Sequence, residues 1–126
     1  MGRIKKRTLG QVHFAPRGWG HEYWIENRED YCGKILVIAP GKRGSLHFHV
    51  KKTETMLVQT GKMRLRLIDP STAEEYEETL TTDDSILIPA GQVHQIINAN
   101  DDERLVLLEF STQHFEDDSH RVQKGD

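Results

Sequence analysis

Several kinds of residue are scarce in this chain of 126 residues, and each scarcity excludes a class of protein. Cysteine occurs once, at Cys32, so no disulfide can form within the chain, and a reducing cytoplasm is the expected location. No apolar run approaches the roughly 20 residues that a membrane span needs. The 17 basic and 20 acidic residues nearly cancel, so the chain offers no broad attraction for nucleic acid or for an anionic membrane.

The N-terminal segment carries the one basic run, from Gly2 to Arg7. It lacks the apolar stretch that follows the charged end of a secretory signal, so export is not expected. We expect residues 1–10 to be a flexible basic tail. The length fits a single domain over residues 1–126, with a core at about residues 30–111.

What the chain does have is alternation of apolar and polar residues, which predicts strands. Met63, Leu65 and Leu67 share one face of such a segment, and Arg64 and Arg66 share the other. In all, the pattern predicts about eight short strands separated by turn residues, at residues 34–39, 45–50, 55–60, 63–68, 75–81, 85–88, 94–98 and 105–110. No long helical period competes with them, so the sequence predicts an all-β sandwich or small barrel.

Four side chains are candidate metal ligands because of their spacing. His47 and His49 are two positions apart, so a strand presents both imidazoles on one face. Glu54 opens the next strand, and an antiparallel pairing of the two strands would bring its carboxylate beside the rings. His94 follows a Pro/Gly turn and faces the same way as Ile96 and Asn98. From spacing alone, ordinary hydrogen-bonded histidines remain an alternative to a metal site. The other four histidines show no such spacing, and we expect ordinary roles for them: His13, His21, His114 and His120.

Two longer motifs decide between these alternatives by resemblance. The pattern Gly41-x5-His47-x-His49-x4-Glu54-x6-Gly61 resembles the first signature of the cupin superfamily at every specified position. The pattern Asp83-x5-Pro89-x-Gly91-x2-His94-x3-Asn98 resembles the second signature, with Asp83 where the family usually has glycine. That change should affect only a turn. Two signatures in the right order are far more specific than a short motif.

The cupin resemblance implies a double-stranded β-helix, or jelly-roll barrel, with one metal ion inside it. It implies that His47, His49, Glu54 and His94 hold this ion. Three imidazoles and one carboxylate suit Mn, Fe, Co, Ni or Zn better than Mg or Ca. Four protein ligands leave coordination positions open, which is typical of catalysis or ligand capture.

A wider and weaker resemblance concerns function. Segments at residues 16–20, 31–41 and 109–121 are similar to the C-terminal cupin domain of type II phosphomannose isomerases. Those enzymes interconvert an aldose phosphate and a ketose phosphate, and they often carry a nucleotidyltransferase domain as well. That family commonly has glutamine at the position of His47, so this chain has the fuller ligand set. The resemblance implies a metal-dependent sugar or sugar-phosphate isomerase or epimerase.

Candidate catalytic residues follow from this hypothesis, because an isomerase needs a base that moves a proton between neighbouring carbons. Glu54, Glu109 and Lys34 are the candidates, with His21 as a further possible substrate contact. Glu109 is in phase with Leu105 and Leu107, which is unusual for a carboxylate on a core face. A strand-end residue reaching solvent, and an ordinary surface lysine, are the alternatives for Glu109 and Lys34. For Arg64 and Arg66 we expect a solvated outer face.

Two rival functions stay open at this point. One is an iron-dependent dioxygenase or related oxidoreductase, because the same ligands in cupins also support oxygen chemistry. The other is a non-catalytic module that binds a small carbohydrate or another anion. For partners, we expect a small sugar-like or anionic substrate and a homodimer, without nucleic acid or membrane. Four aromatic residues could supply the dimer contact or, alternatively, cap the barrel of a monomer: Phe14, Trp19, Tyr23 and Trp24.

Overall fold

The computed structural model describes residues 2–126, and these residues form eleven β-strands in two sheets. The strands are β1 (His13–Arg17), β2 (Gly20–Asn27), β3 (Cys32–Ile38), β4 (Leu46–Phe48), β5 (Glu54–Thr60), β6 (Lys62–Ile68), β7 (Glu75–Thr81), β8 (Ser85–Ile88), β9 (Val93–Asn98), β10 (Leu105–Ser111) and β11 (His120–Gln123). Two short 3-10 helices lie at Leu9–Gln11 and Glu116–Asp118.

The two sheets contain six and five strands and are antiparallel throughout. The first sheet has the order β1-β2-β3-β10-β5-β8, and the second has the order β11-β4-β9-β6-β7. At the centre of each sheet, neighbouring strands are distant in sequence, since β10 lies between β3 and β5, and β9 lies between β4 and β6. The all-β jelly-roll prediction is confirmed by this arrangement.

The hydrophobic core lies between the sheets and comes from the inward positions of alternating strands. Met63, Leu65 and Leu67 of β6 are buried, as the period-two pattern predicts. They pack against Leu36 of β3 and Leu107 of β10 from the opposite sheet. Apolar and polar side chains together line a cavity next to this core.

The predicted strands agree with the observed ones to within one or two residues at most boundaries. One boundary matters, because β4 ends at Phe48 and leaves His49 in the loop that follows it. The turn residue Asp83 has a φ of 75°, which explains why glycine is usual at its position in the signature.

Segments outside residues 30–111 also contribute to the sheets. β1 and β2 extend the six-stranded sheet, and β11 is an edge strand of the five-stranded sheet. Residues 2–8 are exposed and have no regular structure, although Arg7 contacts the carboxylate of Glu26 at 3.0 Å. Within the described part of the chain, no helix has the length and hydrophobicity needed to cross a membrane.

Candidate metal centre

Three of the sequence-predicted ligands meet on the inner face of the five-stranded sheet. His47 of β4 and His94 of β9 lie directly opposite each other in the ladder, and their ring centroids are 4.5 Å apart. The ring of His49 is 4.9 Å from that of His47. One potential ligand atom from each ring lies within 4.8 Å of the others, so the three imidazoles can hold a metal ion.

Glu54 reaches the same point from the opposite sheet. The expectation that its strand pairs with the strand of His47 is wrong, because β5 pairs with β10 and β8 instead. Its carboxylate extends across the space between the sheets, where Oε1 lies 3.0 Å from Nε2 of His94. The two sheets therefore supply different chemistry, with imidazoles on one side and a carboxylate on the other.

The same type of hydrogen bond orients all three rings. In each, Nδ1 lies at hydrogen-bond distance from a backbone carbonyl oxygen, which can only accept. The bonds run from His47 to Ser45 at 3.0 Å, from His49 to Asp118 at 3.0 Å, and from His94 to Gln92 at 2.9 Å. Nδ1 therefore carries a proton, and in a neutral ring the lone pair on Nε2 is free to bind a cation.

Three buried atoms at the centre of this group lack hydrogen bonds: Nε2 of His94 and both carboxylate oxygens of Glu54. In the neutral tautomer of His94, no hydrogen lies between Nε2 and Oε1, although the atoms are only 3.0 Å apart. Two electron-rich atoms this close repel each other in a buried site unless a positive species lies between or beside them. The donors therefore fit a metal cation, and a proton is the other species that would satisfy them.

Burial keeps two of the imidazoles neutral. It lowers the pKa of His47 to about 3, and the neighbouring His94 ring adds to this effect. The pKa of His49 is lowered by burial and by the cation of Lys52. At neutral pH these rings hold no second proton that a metal ion would have to displace.

A buried lysine connects Glu54 to a second carboxylate. Nζ of Lys52 lies 3.2 Å from Glu54 and 3.3 Å from Glu109. Glu109 is only 4% exposed, so the alternative in which it reaches solvent is wrong. Burial and the charge of Glu54 raise the pKa of Glu109 to about 7. Burial alone would lower the pKa of Lys52, but the two carboxylates outweigh burial and raise it.

Lys34 also points inward, so the alternative of an ordinary surface lysine is wrong. It is 4% exposed, its Nζ lies 4.4 Å from the centre of the Trp24 ring, and it is 3.5 Å from Glu22. Glu22 accepts further hydrogen bonds from Arg17 at 3.1 Å and from the indole nitrogen of Trp24 at 2.8 Å. These groups form a second charged cluster on the cavity wall.

The metal-ligand candidates and both charged clusters line one cavity of about 480 Å³. Four positions in and around it were not identified as site residues from the sequence: Glu22, Lys52, His114 and Asp118. His114 lies 3.3 Å from Lys52 in the cavity wall. Asp118 accepts hydrogen bonds from the backbone of residues 50–52, which fixes the loop beside His49. None of the four has a distinctive spacing, and several of their contacts join distant parts of the chain, such as Lys52 with Glu109 and Asp118 with residues 50–52.

Other candidates lie away from the cavity. His21 packs against Phe14 and Tyr23 and does not line the cavity. The outer-face prediction for the two arginines is confirmed, since Arg64 pairs with Glu77 and Arg66 with Glu75. His13 contacts Trp24, and His120 stacks on Phe48.

Comparison with protein families gives a match to the cupin domain over residues 34–111. The matched range contains all four candidate ligands and both sequence signatures. The resemblance to cupins that the signatures indicated is therefore confirmed.

Two curated relatives have similar names. The putative mannose-1-phosphate guanylyltransferase of Vibrio cholerae is 30% identical over 82 residues, which is 65% of this chain and 16% of that protein. Mannose-1-phosphate guanylyltransferase 2 of Escherichia coli O157:H7 is 29% identical over 101 residues, 78% of this chain and 19% of that protein. The chain thus spans less than a fifth of either relative.

Solved structures with the same fold are more distant in sequence. The capsular polysaccharide assembling protein CapF of Staphylococcus aureus has a TM-score of 0.79 and 21% identity, covering 89% of this chain and 34% of that one. A variant of oxalate decarboxylase from Bacillus subtilis has a TM-score of 0.80 and 17% identity, and the match covers 97% of this chain and 34% of the decarboxylase chain. Another structure of that decarboxylase concerns its Mn(II) centres. At these low sequence identities, the structural similarity shows that this chain and the two proteins share a fold.

The charged cluster around Glu22 generates a stability prediction. Burial alone would raise the pKa of Glu22, but Lys34, Arg17 and Trp24 outweigh it and lower the pKa below 4.5. The Glu22→Gln variant should lose about 1–3 kcal/mol of unfolding free energy at pH 7, since the charged hydrogen bonds and the partner of Lys34 are lost. Urea denaturation across a pH series measures this loss.

The pH dependence has a defined sign. A lowered folded-state pKa adds stability above the unfolded value of about 4.5, and that stability disappears as the pH falls through the folded value. The difference between wild type and Glu22→Gln should therefore shrink below pH 4.5. The control Glu77→Gln, on the exposed pair with Arg64, should change stability by less than about 1 kcal/mol. Equal losses in both variants would contradict the assigned role of Glu22.

Proposed function

The chain belongs to the cupin family, and from that premise we propose that it is a metal-dependent enzyme that isomerises or epimerises a sugar or sugar phosphate. The observation that carries this proposal is the convergence of three imidazoles and one carboxylate in the wall of a single cavity. The substrate class is supported by the two curated relatives, whose names specify a sugar phosphate.

The proposed metal ligands are His47, His49, Glu54 and His94. The three orphaned atoms at Glu54 and His94 support this set, because a cation satisfies all of them. Three imidazoles and one carboxylate suit a divalent transition metal, namely Mn, Fe, Co, Ni or Zn. When bound, such a metal supplies a Lewis acid that polarises a carbonyl and its neighbouring hydroxyl group.

The proton transfer is assigned to Glu109. It lines the same cavity, it is not in the proposed ligand set, and Lys52 holds its carboxylate in place at 3.3 Å. In an aldose–ketose isomerisation, this carboxylate would take the proton from carbon 2 and return it to carbon 1. Lys34 lies on the same wall and is assigned to hold a substrate oxygen. Glu54, also a candidate base, is assigned to the metal because its carboxylate faces His94.

Three expectations from the sequence stay predictions: the single-domain organisation with a flexible tail, the cytoplasmic location and the homodimer. Of the aromatic residues considered for a dimer contact, Trp19 lines the cavity and Trp24 contacts Glu22. Phe14 and Tyr23 lie on the outer side of the six-stranded sheet and pack together. Of these four aromatic residues, Phe14 and Tyr23 therefore stay the candidates for a dimer contact.

Metal content tests the ligand set. Wild-type protein loaded with one divalent metal and freed of excess should retain about one ion per chain. His49→Ala and His94→Ala should each retain less than about one tenth of that amount, because removing one of four ligands weakens the site strongly. Elemental analysis gives the content, and circular dichroism verifies the fold. His13→Ala, outside the cavity, is the control, and wild-type metal content in both ligand variants would rule out the set.

Solvent exchange tests the reaction. Metal-loaded protein incubated with mannose 6-phosphate in deuterium oxide should place deuterium at carbon 2, which NMR detects. Glu109→Gln should slow this exchange by about a hundredfold or more while keeping the metal, since the base is lost and the ligands remain. An unchanged exchange rate in that variant would reject Glu109 as the base.

The same experiment separates the rival functions. Exchange that continues under nitrogen excludes an oxygen-dependent reaction, whereas substrate-dependent oxygen uptake with Fe(II) would establish a dioxygenase instead. Thermal stabilisation by sugar phosphates without exchange in any aldose phosphate tested would identify a binding module.

A further inference from the structure

We propose that Trp19 and Arg121 form a second subsite at the mouth of the cavity, which binds the ring and the anionic group of a sugar acid or sugar phosphate. The proposal rests on the proposed function, because the other end of the same sugar would lie at the metal ligands. It adds a specificity site in segments that lie outside both sequence signatures.

The register of the five-stranded sheet places Arg121 beside the candidate ligands. Arg121 of β11 lies directly opposite His47 of β4. Residues directly opposite in an antiparallel ladder point to the same face of the sheet, so Arg121 projects on the side where the His47 imidazole lies. Arg121 lines the cavity, and it remains exposed because β11 is an edge strand.

The charges of the cavity wall leave Arg121 as the cation that is available to a ligand. Four basic and four acidic side chains line the cavity: Arg17, Lys34, Lys52 and Arg121, with Glu22, Glu54, Glu109 and Glu116. Arg17, Lys34 and Lys52 each contact at least one of these carboxylates within 4.0 Å. Arg121 makes no ion pair and no side-chain hydrogen bond with residues 2–126. A divalent cation at the histidines would make this balanced wall net positive, which favours an anionic ligand.

Trp19 supplies an apolar surface in the same cavity. It is half-buried, packs against the hydrophobic core and lines the cavity. One face of a pyranose ring carries mainly C–H bonds, and such a face packs on the flat apolar surface of an indole. The indole nitrogen makes no hydrogen bond to the described residues, so it is free to donate to a sugar hydroxyl.

Residues 43–45 connect the surroundings of Trp19 with those of the Arg121 strand. The indole nitrogen of Trp19 would lie 3.8 Å from a Cβ added at Gly44, and the backbone of Gly44 is in close contact with Gly125. Asp126 holds the C-terminal residues against residues 43–44, since its backbone amide donates a hydrogen bond to the Arg43 carbonyl and its carboxylate accepts one from the Arg43 amide. Trp19 and the strand of Arg121 therefore meet across residues 43–45, the segment that leads into His47.

Tryptophan fluorescence reports on this subsite directly, because the chain has only two tryptophans. The Trp24→Phe variant leaves Trp19 as the single emitter, and Trp19→Phe leaves Trp24. Both are loaded with Zn²⁺, which has a filled d shell and no redox chemistry, and are titrated with mannose 6-phosphate, glucuronate and mannose. We expect saturable changes in Trp19 emission with the two anionic sugars, and at least tenfold weaker binding of mannose.

Arg121→Ala in the Trp24→Phe background should weaken binding of the anionic sugars at least tenfold and leave mannose unaffected, with an unchanged Zn²⁺ content. Arg64→Ala, an exposed arginine outside the cavity, is the matched control and should bind like the parent. A preference for mannose 6-phosphate identifies a phosphate ligand, and a preference for glucuronate identifies a carboxylate ligand. Calorimetry with Trp19→Leu tests the aromatic surface without a fluorescent reporter, and circular dichroism verifies its fold.

The outcomes separate this subsite from the proposed function. If the anionic sugars bind equally well to Arg121→Ala, Trp19→Leu and the Arg64→Ala control, the subsite is wrong and the isomerase proposal stands. A response from Trp24 but not from Trp19 likewise overturns the subsite. If Zn²⁺-loaded wild type binds none of the three sugars by calorimetry, both the subsite and the sugar assignment are overturned.

Discussion

The structure depends on one electrostatic constraint: electron-rich atoms of histidine rings and a carboxylate are buried together, with the ammonium group of Lys52 beside the carboxylate at 3.2 Å. Nε2 of His94 and the carboxylate of Glu54 face each other at 3.0 Å, and His47 and His49 add two more free lone pairs. Backbone carbonyls hold the proton of each ring on Nδ1, so the rings cannot relieve the repulsion by changing tautomer without losing a hydrogen bond. A positive species at the centre, either a metal cation or a proton on His94, would relieve this repulsion.

The two-sheet architecture makes this arrangement possible. One sheet carries the imidazoles on β4, β9 and the loop after β4, and the other carries Glu54, Glu109 and Lys34 on β5, β10 and β3. Lys52 bridges the two carboxylates, which holds Glu54 toward the histidines and Glu109 toward the cavity. The sheet that supplies the carboxylates therefore also supplies the charges assigned to proton transfer, and the histidine sheet carries the edge strand with Arg121.

The strands, their buried faces and the candidate ligands could be predicted from the sequence, because each depends on a local pattern of residues. Alternation in Met63–Ile68 identified a strand and its buried face, and the spacing of His47, His49, Glu54 and His94, together with the signatures, identified the candidate ligands. The rest depends on contacts between distant segments. Lys52 looks the same as Lys51 in sequence, yet only Lys52 is buried between two carboxylates. Glu54 was expected beside the strand of His47, and only the sheet order reveals that it comes from the opposite sheet.

The most direct test of the central claim is a crystal structure of protein loaded with a single transition metal, with diffraction data collected at the absorption edge of that metal. We predict one anomalous peak inside the barrel, within about 2.0–2.3 Å of Nε2 of His47, His49 and His94 and of an oxygen of Glu54. A peak at any other group of side chains, or no peak after loading, would contradict the account.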